Sequence, residues 1–196
     1  MGLKDFLQGK PLGHPSHPLF VHFPSALFPT GLLLDILAWF FQEPALVKAA
    51  FYDIAVGSAG GLLAALTGFV DYFGMIPGSR KHAVTTWHWL IQVSVLGIFL
   101  LSLVLRWPLL GVPQTPLPIV LLSAIGVLGL LVGSYLGGEL VYRMGMRVST
   151  GPRPTPALLA LLERLLAGAR GFSLRDRRPV STIQSGTATK ERGPLR

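Results

Sequence analysis

No cysteine occurs among the 196 residues. Disulfides, thiolate metal sites, cysteine-held iron–sulfur clusters and c-type haem are therefore excluded as properties of this chain. Charge is scarce as well: 13% of residues are charged, against about a quarter in soluble domains. Acidic groups are the scarcest, nine against 17 basic. No nucleophile triad, phosphate loop or paired-carboxylate pattern appears in the sequence. Enzyme chemistry carried by the chain alone is accordingly not expected.

In place of charge stand four apolar runs, Leu19–Phe41, Ala49–Val70, Ala83–Leu105 and Leu117–Gly137. Each is long enough to cross a hydrocarbon core of about 30 Å as a helix rising 1.5 Å per residue. They lack period-2 alternation, so helices rather than a barrel satisfy the backbone in lipid. The first run follows the proline-bearing lead His14-Pro15-Ser16-His17-Pro18 and exceeds the apolar part of a secretory signal, so we read it as a span. Short connections, Gln42-Glu43-Pro44 and Trp107–Pro116, predict an all-α, up-down-up-down four-helix transmembrane bundle with the first and third helices on a diagonal. Residues 1–18 form the lead, 19–148 the membrane domain and 149–196 a C-terminal extension.

The net charge of +8 is distributed by side. Lys4, Lys10, Arg80, Lys81 and the eleven basic residues from Arg143 onward share one side; only Lys48 and Arg106 fall on the other. This places both termini and the loop between the second and third runs in the cytoplasm and accounts for the charge through topology and lipid. No nucleic-acid partner is expected, since no binding module accompanies the basic tail. In the extension, Thr155-Pro156 suits the start of a helix over Pro156–Ala169 with a leucine-rich side, too short to span and better suited to the interface or to a partner. Basic residues and turn formers dominate from Ser173.

Glycine spacing marks close-packing faces: Gly57, Gly61 and Ala65 in the second run, and Gly129, Gly133 and Gly137 in the fourth. Small residues four apart let helix backbones approach where lipid removes the usual hydrophobic drive. Packing within the bundle is the first expectation, docking in a larger membrane complex the second.

All five histidines fall at one edge of the bundle. His14, His17 and His22 lie at the entrance of the first run, His82 and His88 at the entrance of the third. Ionisable groups at membrane depth are costly and usually kept for a function. His22 and His88 are the deepest, each about one turn inside its segment, and His88 shares a helical stripe with Gln92. Two histidines at one depth on diagonal helices suit the axial ligands of a b-type haem, with His17 as the alternative ligand and Gln92 nearby. Arg80, Lys81 or Arg143 would meet the propionates, and Trp87 and Trp89 flank the site. The same pattern equally suits histidines that bond proline-freed carbonyls beside Pro24 and Pro29, with the tryptophans as an aromatic belt and no cofactor at all. A zinc site from His14, His17, His82 and Asp71 is chemically allowed. Asp35 lies about 140° around the helix from His22. It belongs to another contact, with Tyr52 or a small residue of the second run, or to a proton relay.

These residues also resemble a bacterial family. His17-Pro18-Leu19-Phe20-Val21-His22-Phe23-Pro24 with Ala26-Leu27 and Leu33-Leu34-Asp35, then Gly68 with Asp71, His88 with a side-chain amide four residues on, and Gly137-Gly138-Glu139-Leu140-Val141-Tyr142-Arg143 with Gly145 and Val148, are similar to the membrane family called domain of unknown function 2231. The likeness spans Gly13–Val148, and its HPxxxHFP element is fairly specific. The amide is Gln92 where the family commonly has asparagine, and Met144 stands where members often have histidine. The resemblance implies a four-helix membrane domain, and some members are joined to Rieske-type or cytochrome domains, an electron-transfer setting. The leading expectation is thus a haem-b electron-transfer module or subunit of a respiratory or photosynthetic-type complex. The rivals are a cofactor-free accessory subunit docking through its glycine faces and basic tail, and a small-solute or proton transporter.

Overall fold

The computed structural model describes residues 2–9, 11, 14–73 and 75–148. The helix expected over Pro156–Ala169 and the basic tail lie outside the described residues. A short α1 (Leu3–Leu7) precedes four long helices, α2 (His17–Phe41), α3 (Pro44–Tyr72), α4 (Arg80–Arg106) and α5 (Leu117–Gly138). A π-helical turn over Glu139–Arg143 ends α5. All four long helices are long and apolar enough to cross a membrane, and no strand occurs among the described residues. The fold is the expected four-helix membrane bundle.

Three helices begin before the apolar runs do, because local chemistry sets their starts. Pro44 occupies the first turn of α3, where its missing N–H costs nothing, and the Glu43 carboxylate accepts from Ala45 N–H at 3.2 Å. The Ser79 hydroxyl accepts from His82 N–H at 3.1 Å and starts α4 at Arg80. Pro18 lies in the first turn of α2, and the Ser16 hydroxyl before it donates to Leu7 O. His17 therefore belongs to α2 and not to the lead.

Helix α2 packs chiefly on α3, and α4 on α5; contacts of α3 with α4 and of α2 with α5 close the ring. The parallel helices α2 and α4 lie across the diagonal, and side chains bridge them in three layers. His17 meets His88 with ring centres 6.5 Å apart, Phe28 stacks on Phe99 at 3.7 Å, and Asp35 pairs with Arg106 at 2.5 Å. In each layer the α4 residue follows its α2 partner by 71 positions, the signature of two parallel helices in fixed register. The glycines of α3 and α5 repeat in the same way. A Cβ at Gly57 would meet the Phe28 ring, and one at Gly126 the Phe99 ring; Gly68 lies against His17 and Gly137 against His88. The α2–α3 and α4–α5 hairpins thus make equivalent contacts about an axis along the bundle.

Candidate functional site

The site grows from this repeat. In α2, the His17 Nδ1–H donates to Ala64 O of α3 at 2.8 Å; in α4, the His88 Nδ1–H donates to Gly133 O of α5 at 2.7 Å. A carbonyl can only accept, so both neutral rings are fixed in one tautomer, with the lone pair on Nε2. Neither Nε2 has a hydrogen-bond partner among the described residues. Each accepting carbonyl lies one turn before the glycine that touches the same ring. Without a Cβ at Gly68 and Gly137 the imidazoles fit against the neighbouring backbone. The two planes are nearly perpendicular, at 85°.

Between the hairpins lies a cavity of about 570 Å³, within the roughly 300–1,000 Å³ of small-molecule and cofactor sites. Its walls come from all four long helices and are mostly apolar. Val21 and Ser25 of α2, Ala65 of α3, Trp89 and Val93 of α4, Ser134 of α5 and Val141 of the π turn are among the lining residues. Trp89 stacks on Phe69 with ring centres 5.6 Å apart. Phe28 and Leu130 floor the space; Asp71, Tyr142 and Arg147 stand at its mouth. The Arg147 guanidinium holds the Asp71 carboxylate through Nη2.

The expected residues fall into two groups. His17, His88 and Gln92 line the cavity. Gln92 sets its amide against Gly133, with Oε1 buried and without a hydrogen-bond partner among the described residues. His22 is not brought to His88: it is exposed, and its Nδ1–H turns back to Pro18 O at 2.5 Å. The correction is one of helical phase. His17 is the α2 residue in register with His88, and His22 lies five residues further round the same helix. Arg80, Lys81 and Arg143 do not line the cavity; the Arg143 side chain is three-quarters exposed and pairs with Glu139 at 3.1 Å. His14 lines the mouth but is exposed, and His82 rests on the Tyr72 ring. Among the described residues no three histidines or carboxylates converge in a metal-ligand group, so the zinc set His14, His17, His82 and Asp71 is not assembled.

Asp35 does not reach Tyr52, which is exposed. Its carboxylate accepts from Arg106 Nη1 at 2.7 Å and Nη2 at 2.5 Å, and from the Thr115 hydroxyl at 2.7 Å. Sequence reading missed this partner because Arg106, at the end of an apolar run, looks like a flanking charge. It also missed Arg147 and the carbonyls of Ala64 and Gly133. The 71-residue spacing that links Arg106 to Asp35 emerges only from the layers of the fold.

No curated protein and no solved structure matches the chain. A family model does, the one described as predicted membrane protein (DUF2231), over residues 13–150, a stretch that takes in every residue of the site. The chain belongs to that family.

Proposed function

We propose that this protein is a membrane-embedded electron-transfer module that holds a b-type haem between His17 and His88, near the cytoplasmic face of a bacterial inner membrane. The observation that carries the reading is the matched pair of imidazoles. Each is locked through Nδ1 to a helix carbonyl, each has an Nε2 without a hydrogen-bond partner among the described residues, and both line one cavity with ring centres 6.5 Å apart. Two imidazoles sharing one metal at about 2 Å each hold their ring centres about 6 Å apart. The spacing and the donor set therefore fit such a group, and the cavity of about 570 Å³ between the hairpins offers room for it.

A bound haem would supply a one-electron carrier inside the lipid span. The chain's own residues do the rest. The Ala64 and Gly133 carbonyls orient the rings, as partners of ligating histidines do. Gly68 and Gly137 admit the rings to the axis. Val21, Trp89, Val93 and Leu130 keep the surroundings apolar.

The test is an absorption spectrum of the full chain purified after expression with ample haem. A Soret band is expected in the wild type and in His22→Ala, and is expected to be lost in His17→Gly and His88→Gly. Added imidazole should restore it to either glycine variant, which separates a missing ligand from a misfolded bundle. A colourless wild type that takes up no haem on titration would overturn the reading.

A further inference from the structure

We infer that Arg147 anchors an acidic group on the edge of the molecule bound in the cavity, at the mouth beside His17. The inference rests on the His17–His88 reading and goes beyond it, since the sequence assigned this task to Arg80 and Arg143. Among the described residues lining the cavity, Arg147 is the only lysine or arginine. It is held there on purpose-built backbone. Arg147 adopts a left-handed φ of 58°, a conformation unfavourable for a non-glycine residue that persists only where the surroundings impose it. Two bonds hold the segment: Met146 N–H donates to Leu140 O at 2.8 Å and Val148 N–H to Gly145 O at 3.4 Å.

Asp71 completes the placement. Its carboxylate, 8% exposed, takes Nη2 of Arg147, whose own side chain is 34% exposed. That contact uses one nitrogen. A guanidinium has five N–H donors in a planar fork, and among the described residues Nη1 and Nε of Arg147 have no hydrogen-bond partner. Asp71 by itself would repel an anion at the mouth. Arg147 between the two carboxylates removes that repulsion and presents its open edge to the second, in the geometry that makes arginine the usual carboxylate partner. The other polar groups at the mouth, His14, His17 and Tyr142, carry no fixed positive charge. The ligand class is therefore a planar macrocycle with ionised carboxylates on one edge.

The experiment titrates the full-length protein in detergent micelles with haem b and, separately, with its dimethyl ester, which keeps the ring and iron but has no acid. Binding is read from the absorption change. Arg147→Gln should weaken haem b by about 10-fold or more, as expected for losing a hydrogen bond to a charged group, and leave the ester unchanged; Arg147→Lys should retain part of the difference. Equal effects on both compounds, or none on haem b, would overturn the anchor and leave the ligand pair standing. His17→Gly should weaken both compounds alike. A wild type that binds neither compound overturns both readings.

Discussion

At the scale of single residues, the costliest group in the protein is Arg106, a guanidinium 1% exposed inside a lipid-spanning bundle. It is tolerable because its donors are used. Nε bonds the Ser102 hydroxyl at 2.9 Å, Nη1 reaches Asp35 and Thr115, and Nη2 reaches Asp35 and the Ser123 hydroxyl at 3.0 Å. Removing one member of a buried pair strands the other, at about 3–5 kcal/mol, whereas replacing both with apolar residues is often neutral. Asp35→Ala and Arg106→Ala should each lower the melting temperature in detergent sharply, and Asp35→Leu with Arg106→Met should recover most of the loss. A double variant whose loss equals the sum of the two single losses would show that the pair is not coupled. His22 offers the contrasting expectation. It is exposed and bonded only to its own helix, so His22→Ala should change stability by no more than about 0.5 kcal/mol.

The same residues show what the sequence made legible. Depth was readable, because apolar runs locate each histidine relative to the membrane edge. Phase was not: whether His17 or His22 faces the axis depends on how α2 docks on α3, a contact between residues 47 positions apart.

At the scale of helices, glycine spacing correctly marked the packed faces of α3 and α5 but not what packs there. The structure supplies the answer in rings. A Cβ at Gly126 would lie 2.6 Å from Phe99 Cε2, and one at Gly57 would lie 2.8 Å from Phe28 Cε1. Those two rings are stacked and at most 1% exposed, so neither has room to retreat. Gly126→Ala and Gly57→Ala should each destabilise by about 1–3 kcal/mol through overpacking. Gly97, exposed in the middle of α4, has nothing within 4 Å of its Cβ direction. Gly97→Ala should leave the bundle as stable or firmer by about 0.5–1 kcal/mol, the ordinary helical preference. Thermal melts of the three variants decide this, and equal effects would refute the packing assignment. These glycines are thus occupied within the bundle, and the starts of α2, α3 and α4 follow prolines and caps that hydropathy alone does not register.

At the scale of the whole molecule, the cavity opens at the histidine end and stops at the phenylalanine layer. Beyond that layer Asp35, Ser102, Arg106 and Ser123 are at most 1% exposed. None of these four residues lines the cavity. Liposomes containing the protein should show the proton permeability of empty ones, and a leak abolished by Asp35→Asn would contradict this. The absence of cysteine makes the proposed orientation simple to check. A single cysteine placed at Ile76, 78% exposed, should resist a membrane-impermeant maleimide in intact cells, while one at Gly111, exposed on the opposite loop, should react. The reverse pattern would invert the topology. Four helices and their order were legible in the sequence because lipid leaves few alternatives; the near-identity of the two hairpins was not, since it resides in contacts rather than in matching letters.

That near-identity has a consequence for anything lodged on the axis. After half a turn a flat guest finds imidazole above, imidazole below and a glycine-backed wall on either side, as before. Trp89 where the other hairpin has Pro18, the arginine at the rim and the π turn after α5 distinguish one seating from its reverse. An unsymmetrical guest should accordingly occupy two orientations in unequal proportion, visible as paired sets of resonances, and trimming the rim arginine should bring the two populations closer together.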